Sequence, residues 1–323
     1  MKIVFFETTP AEETFFREKL PNHELTFHPD KLTHETAHYA TEAEIISIFV
    51  FSPLKADLLA RFPKLHTIVT RSTGIDHIDA AYCAEHKISI LNVPHYGVNS
   101  VAEHAFALML ALSRKIVPSV ELTKKGSFSN EGLTGFDLCD KTLGIIGLGN
   151  IGNRVASIAN AFKMKVLVYS RTQKPLPNVT FVSLDELLRT SDIITIHTPL
   201  TPETTHLLHE NNMRFIKKGA LLINTARGPI IDTQALVQTL QNGILAGAAL
   251  DVLEEEQSIK EERMVLTAEY IDLSSAKTLL LDHVLRDMPN VIITPHNAFN
   301  TIEALEEINS ITVDNITSAS RIS

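Results

Sequence analysis

At 323 residues, with 44% hydrophobic and 21% charged side chains, 13 glycines and 14 prolines, the chain has room for two lobes and is too apolar for disorder, collagen or low-complexity sequence. A formal charge of -9, from 29 basic and 38 acidic residues, argues against a nucleic-acid groove or an anionic membrane surface as partner. Two cysteines, Cys83 and Cys139, cannot build a disulfide framework and point to the cytoplasm, and no run approaches the roughly 20 apolar residues of a membrane helix.

In chain order, short runs rich in Ile, Val and Phe predict strands at residues 3–6, 25–27, 45–51, 66–70 and 88–91, separated by segments of helical period. One helix is expected after Ser52, with Pro53 at its first position. Ser100, with Glu103 three residues on, reads as the cap of a helix running to Lys115. Its wide apolar face predicts packing between lobes or against a second subunit, or simple burial in a core. After a polar stretch at 124–135, a second series follows with strands expected at 142–146, 166–169, 193–197, 220–224, 246–250 and 291–294. Strands alternating with helices in this way describe stacked βαβ units around parallel sheets covered on both faces, an α/β fold.

The strand at 142–146 runs directly into Gly147-Leu148-Gly149-Asn150-Ile151-Gly152 and then a helical segment. In that setting the first glycine permits a tight turn, the second lets backbone approach a pyrophosphate, and the third lets helix pack on strand, with the helix N-terminus facing the anion. The next strand ends in Ser170-Arg171-Thr172-Gln173-Lys174, where a carboxylate would ordinarily bind the ribose hydroxyls. Without that carboxylate, and with hydroxyl and cationic donors instead, the sequence favours NADP over NAD.

Six further segments resemble the D-isomer-specific 2-hydroxyacid dehydrogenases: 71–79 (RSTGIDHID), 99–104 (NSVAEH), 196–204 (IHTPLTPET), 224–228 (NTARG), 247–252 (GAALDV) and 294–299 (TPHNAF). The resemblance spans nearly the whole chain. It implies two doubly wound parallel-sheet lobes. Residues 1–98 and a returning helix at 299–323 would form a flavodoxin-like substrate domain, around a Rossmann dinucleotide-binding domain at 99–298. It also implies a homodimer.

Reduction of a 2-keto acid needs a cation for the carboxylate, an acid for the developing alkoxide, and a group that tunes the acid. Arg227, after a strand end, offers the guanidinium fork, and His296, after another, is suited to give and recover a proton near neutrality. Glu256, within the acidic run 254–256, sits five residues past Asp251, where the family places its glutamate; a carboxylate on the imidazole would keep it protonated. The three side chains are expected to converge. Gln257 replaces the proline that usually follows the glutamate in the family.

The resemblance further implies that backbone N–H groups around Thr73 and Gly74 hold the substrate carboxylate together with Arg227, and that Tyr96 and Phe299 shape the pocket. His197, Thr198, Pro199, Thr204, Thr225, Ala226, Arg227 and Asp251 would meet the cofactor, besides the turn and Ser170 to Thr172. No metal is expected. The long interval between Glu256 and His296, with a helix expected at 274–284, looks more like the D-lactate dehydrogenase branch than the phosphoglycerate branch. The predicted partner is a small 2-keto or 2-hydroxy acid. A nucleotide-sensing corepressor-like protein is the alternative, disfavoured by the intact Arg227, Glu256 and His296 set. A formate or phosphite oxidiser is disfavoured by Glu256 and Thr73.

Overall fold

The computed structural model describes residues 1–94, 96–173, 176–254 and 273–322. It divides into two units, Met1–Gly97 with Asn300–Ser323, and Val98–Phe299.

The first unit carries β1 (Lys2–Phe5), α1 (Pro10–Lys19), β2 (Glu24–Phe27), β3 (Ile45–Ile48), α2 (Ala56–Leu59), β4 (Thr67–Thr70), α3 (Ala80–Glu85) and β5 (Ser89–Leu91), and the C-terminal helix Ile302–Ile322 returns to it. Its sheet is parallel throughout, in the order β2-β1-β3-β4-β5. Alternate side chains of a strand face opposite sides. Ile3 and Phe5 accordingly join Phe16, Leu20, Ile316 and Ala319 under α1 and the C-terminal helix, whereas Val4 and Phe6 join Leu58, Leu59 and Cys83 under α2 and α3. Burial on both faces explains why these strands read as unbroken apolar runs. The helix expected from Pro53 starts later, because Leu54 pairs with Ile78: its N–H donates to the His77 carbonyl and its own carbonyl accepts from Asp79.

The second unit opens with α4 (Val98–Ser113) and α5 (Ile116–Lys124). It continues with β6 (Thr142–Ile146), α6 (Asn150–Ala161), β7 (Lys165–Tyr169), β8 (Val179–Phe181), α7 (Leu184–Thr190) and β9 (Ile193–Ile196). After these come α8 (Glu210–Met213), β10 (Ala220–Asn224), α9 (Thr233–Gln241), β11 (Leu245–Leu250), α10 (Leu273–Asp287) and β12 (Val291–Ile293). The seven strands are parallel, in the order β12-β11-β10-β9-β6-β7-β8. The order reverses between β6 and β9, the point at which open α/β sheets bind ligands beyond their strand ends.

Ser100 lies inside α4 and does not cap it; the helix starts at Val98, straight after Gly97, which takes φ of 65°. The apolar face of α4 is used within its own unit. Ala102, Ala105, Phe106, Met109 and Leu112 pack with α6 residues Val155, Ala156 and Ala159 over Leu143, Ile145, Val166 and Ile223. Ile196, Leu222, Ala248 and Leu250 fill the opposite face with Leu187, Leu188, Leu236 and Leu240. Among the described residues no helix is long and apolar enough to cross a membrane.

Candidate active site

Six strands of the larger sheet end on one register row. Tyr169 pairs with Ile146, Ile146 with Ile196, Ile196 with Asn224, Asn224 with Leu250, and Leu250 with Ile293. Beyond this row, at the C-terminal edge, the chain emerges as Ser170 to Thr172, Gly147 to Gly152, His197 to Pro199, Thr225 to Arg227, Asp251 and His296. Arg227 and His296 each stand three residues beyond the row, after β10 and β12, strands that have only β11 between them and so run roughly 10 Å apart.

The turn after β6 fits a dinucleotide. Gly147 has φ of 96°, and a side chain there would press into the carbonyl of His197; one at Gly152 would strike the carbonyl of Gly147. Gly149, by contrast, faces open space, which leaves backbone accessible where α6 presents its N-terminal N–H groups. Asn150 and Ile151 form the first turn of that helix. At the end of β10 the Thr225 hydroxyl is buried and has no hydrogen-bond partner among the described residues. Such a cradle and such a donor suit the phosphates and polar edges of a nicotinamide dinucleotide. Arg171 and Thr172 are exposed beside the end of β7, and Lys174 lies outside the described residues.

Two residues expected to meet the cofactor also make bonds within the chain. The Thr204 hydroxyl donates to the Pro199 carbonyl at 2.7 Å and accepts from Thr201 N at 2.7 Å, closing the loop after β9. The ring of His197 pairs with the Thr195 hydroxyl at 2.8 Å, and burial pulls its pKa down to about 3, so it is a neutral polar group.

Asn224, 1% exposed, folds the turn that carries Arg227: its Oδ1 accepts from Ala226 N at 3.0 Å and its Nδ2 donates to the Arg227 carbonyl at 2.9 Å. The guanidinium itself donates to the Ala226 carbonyl at 2.8 Å.

His296 has φ of 53°, the left-handed region a histidine rarely adopts. Its N–H donates to the Asp251 and Thr294 carbonyls, both at 2.9 Å. The Asp251 carboxylate is 1% exposed and turned inward, accepting from Asn297 N at 2.8 Å, Ala298 N at 2.9 Å and the Thr294 hydroxyl. The carboxylate of Asp251 thus supports the His296 turn.

His104 on α4, the last residue of the 99–104 segment and one given no role in the sequence, reaches the same group: its Nε2 is 3.5 Å from Asp251 Oδ1 and 3.2 Å from the Thr294 hydroxyl. Burial pushes the Asp251 carboxyl up, but His104, Thr294 and the two turn N–H groups together hold it below the ordinary carboxylate range. Phe299 meets the His296 ring edge-on, with centroids 6.4 Å apart. Glu256 lies outside the described residues.

In the smaller unit, Thr73 and Gly74 follow β4 in a turn pinned by side chains. Asn92 Nδ2 donates to the Thr73 carbonyl at 2.8 Å, Thr73 donates to the Val93 carbonyl at 3.0 Å, and Ser72 donates to the Gly74 carbonyl at 2.7 Å. Tyr96 lies in the turn before α4 and is partly buried.

Residues 106–298 match the family model of the D-isomer specific 2-hydroxyacid dehydrogenase NAD binding domain. The D-lactate dehydrogenase of Escherichia coli K12 is 32% identical over 330 residues, covering 98% of this chain and 96% of that one. The crystal structure of D-lactate dehydrogenase from Aquifex aeolicus with NAD and lactic acid superimposes with a TM-score of 0.90 at 36% identity, covering 99% of this chain and 95% of the other. An acyclic imino acid reductase in complex with NADPH and D-Arg gives 0.84 at 29% identity, covering 99% and 97%. With a dinucleotide turn at the switch point and a histidine and an arginine standing beyond the ends of strands on either side of β11, this chain belongs to the D-isomer-specific 2-hydroxyacid dehydrogenases, NAD(P)-dependent oxidoreductases that move a hydride between nicotinamide and a small D-2-hydroxy or 2-keto acid.

Proposed function

We propose that the enzyme reduces small 2-keto acids of the pyruvate and glyoxylate class, with NADPH favoured over NADH. The observation that carries this reading is the single register row, which sets the dinucleotide turn, the Arg227 turn and the His296 turn along one sheet edge. When bound, the nicotinamide supplies the hydride that the keto carbon accepts. Arg227 pairs with the substrate carboxylate and adjoining carbonyl, and the Thr73 and Gly74 N–H groups hold the carboxylate. His296, as imidazolium, delivers a proton to the carbonyl oxygen as the alkoxide develops, and Glu256 stabilises that imidazolium. Tyr96 and Phe299 border the substrate, and Thr198, Pro199, Thr225 and Ala226 line the dinucleotide.

In this reading Val98–Phe299 is the nucleotide lobe and the remainder the substrate lobe. A homodimer is supported by α5, which has no buried residue and leaves Ile116, Val117 and Val120 exposed. Cytoplasmic residence is supported by two free cysteines.

The NADPH preference rests on Ser170 to Thr172 and the missing carboxylate. Initial rates with pyruvate, hydroxypyruvate, glyoxylate and bulkier keto acids, each with both cofactors, test the proposal. Turnover of at least one acid, with higher kcat/KM for NADPH and loss of that preference in Arg171→Ala, is expected. Failure with every acid while the dinucleotide still binds defeats the substrate class, and a strong NADH preference defeats the role of Arg171.

A further inference from the structure

Glu254 opens the acidic run 254–256, yet its side chain is only 18% exposed and has built partners. Its Oε1 accepts from His206 Nε2 at 2.6 Å, and its Oε2 accepts from the Thr233 hydroxyl at 2.7 Å and Thr233 N at 3.3 Å. His206 lies in the loop after β9, Thr233 opens α9 beyond the Arg227 turn, and Glu254 stands four residues past β11. One carboxylate therefore ties together the exits of three adjacent strands.

Backbone contacts tighten the same junction. His206 takes φ of 49°, and its N–H donates to the Pro229 carbonyl at 2.8 Å. Leu208 pairs with Ile231 as an isolated parallel bridge. Asp232, the N-cap of α9, brings Oδ2 to 3.9 Å from His206 Nδ1, so the imidazole stands between two carboxylates. Gly228, next to Arg227, lies so close to the Leu253 carbonyl and Glu254 N that a Cβ would overlap both. The Arg227 turn is thus pressed directly against the segment whose side chain closes the clasp.

We infer that Glu254 and His206 are positioning residues: their hydrogen bond clasps the exits of β9, β10 and β11 and so fixes where the Arg227 guanidinium meets the substrate carboxylate. This rests on the role proposed for Arg227. The imidazole N–H donates and the carboxylate accepts, and Thr233 occupies the other carboxylate oxygen, so removing either member frees the Arg227 turn on one side. Misplacement of a substrate-orienting group by about 1 Å can lower rates on the order of a hundredfold.

The test uses the full-length enzyme carrying Glu254→Ala, His206→Ala and the double substitution. KM and kcat are measured for pyruvate and glyoxylate, dinucleotide affinity by NADPH and NADH fluorescence, and Tm by calorimetry. Each single variant should lose roughly tenfold to a hundredfold in kcat/KM, mainly through KM, with dinucleotide affinity unchanged. The double variant should be no worse than the worse single, because the two side chains act as one unit. Glu254→Gln, which keeps an acceptor for His206, should recover most of the loss. If the alanine variants fail to fold, Glu254→Gln and His206→Asn carry the comparison, with the asparagine variant expected to lose more.

Unchanged KM in folded single variants, losses that multiply in the double, or parallel falls in Tm, keto-acid and dinucleotide affinity without rescue by glutamine would each overturn the clasp. An Arg227→Gln arm separates the two levels: wild-type KM there removes the underlying reading, whereas a raised KM there with no effect of Glu254→Ala removes only the clasp.

Discussion

The two units fix a turn at a strand end with the same device. In the smaller sheet Glu7, just past β1, accepts from Phe49 N at 2.7 Å, Phe51 N at 2.8 Å and the Ser52 hydroxyl at 2.8 Å, all in the turn after the neighbouring strand β3. In the larger sheet Asp251, just past β11, accepts from Asn297 N, Ala298 N and the Thr294 hydroxyl, in the turn after its neighbour β12. Each is one carboxylate receiving two main-chain N–H groups and one hydroxyl. They differ in what the held turn carries and in what backs the carboxylate.

The Glu7 turn holds phenylalanines, and the backbone of Glu7 is backed by Arg71, 1% exposed, whose guanidinium donates to the Phe6 and Glu7 carbonyls at 2.8 and 2.7 Å and to Ser47 at 3.1 Å. The Asp251 turn holds His296, and its backing is His104. If His296 is the acid proposed above, a device that holds a turn in one sheet becomes a device for aiming an acid in the other.

Removal of Arg71 should give the largest effect on stability. Glu12 lies 3.6 Å from the guanidinium, and two buried carbonyls depend on it, so Arg71→Met leaves acceptors without donors. A loss of about 3–5 kcal/mol in denaturant unfolding is expected. A loss below about 1 kcal/mol would show that the buried cation is no keystone.

Next come the two carboxylates, compared directly. In Asp251→Asn the new amide must face at least one N–H donor, so the His296 turn shifts; kcat should fall roughly a hundredfold. Glu7→Gln should cost about 1–2 kcal/mol of stability and leave kcat nearly unchanged. Equal effects on kcat from both would dissolve the distinction between holding a turn and aiming an acid.

Acid should separate these groups as well. The folded pKa of Asp251 lies below the unfolded value of about 3.9, so its contribution is present above that value and lost only as pH falls through the folded one. His197 has a folded pKa of about 3 against roughly 6.5 unfolded, so the unfolded chain binds the extra proton and stability drops as pH falls from about 6.5 towards 3. From pH 7 to 5 the wild type should lose up to about 2 kcal/mol more than His197→Gln. Parallel stability curves would mean that the ring takes a proton in the folded chain.

What the sequence revealed follows from the range over which each feature is decided. Paired runs such as 3–6 and 142–146 announce strands because both of their faces are buried. The edge strand Val179–Phe181 escaped notice because it is three residues long and none of them is fully buried. The exits bearing Arg227 and His296 were legible because local glycine, proline and asparagine signals mark them. Asp251 stood out as a strand-end acid, but its direction is set by N–H groups more than forty residues later. His104 is a lone histidine on a helix whose partners lie 147 and 190 positions away, beyond the reach of any spacing rule.

The smallest effect on stability, and the sharpest on the comparison, should come from Gly149→Ala. Glu7 and Asp251 fix turns by filling them with bonded charge, whereas the dinucleotide turn is shaped by side chains that are absent. Gly147 and Gly152 are glycines for the protein's own sake, since a Cβ would strike the His197 or Gly147 carbonyl. Gly149 meets nothing within 4 Å and has φ of -77°, a conformation alanine takes without strain. Alanine there should change folding stability by no more than about 0.5 kcal/mol. If the open space is where phosphate approaches backbone, the added methyl must weaken NADPH and NADH binding together, with little change in keto-acid KM at saturating cofactor. Unaltered dinucleotide affinity would mean that the phosphate lies elsewhere along the α6 N-terminus, and that this glycine, unlike its two neighbours in the motif, answers to neither the fold nor the ligand.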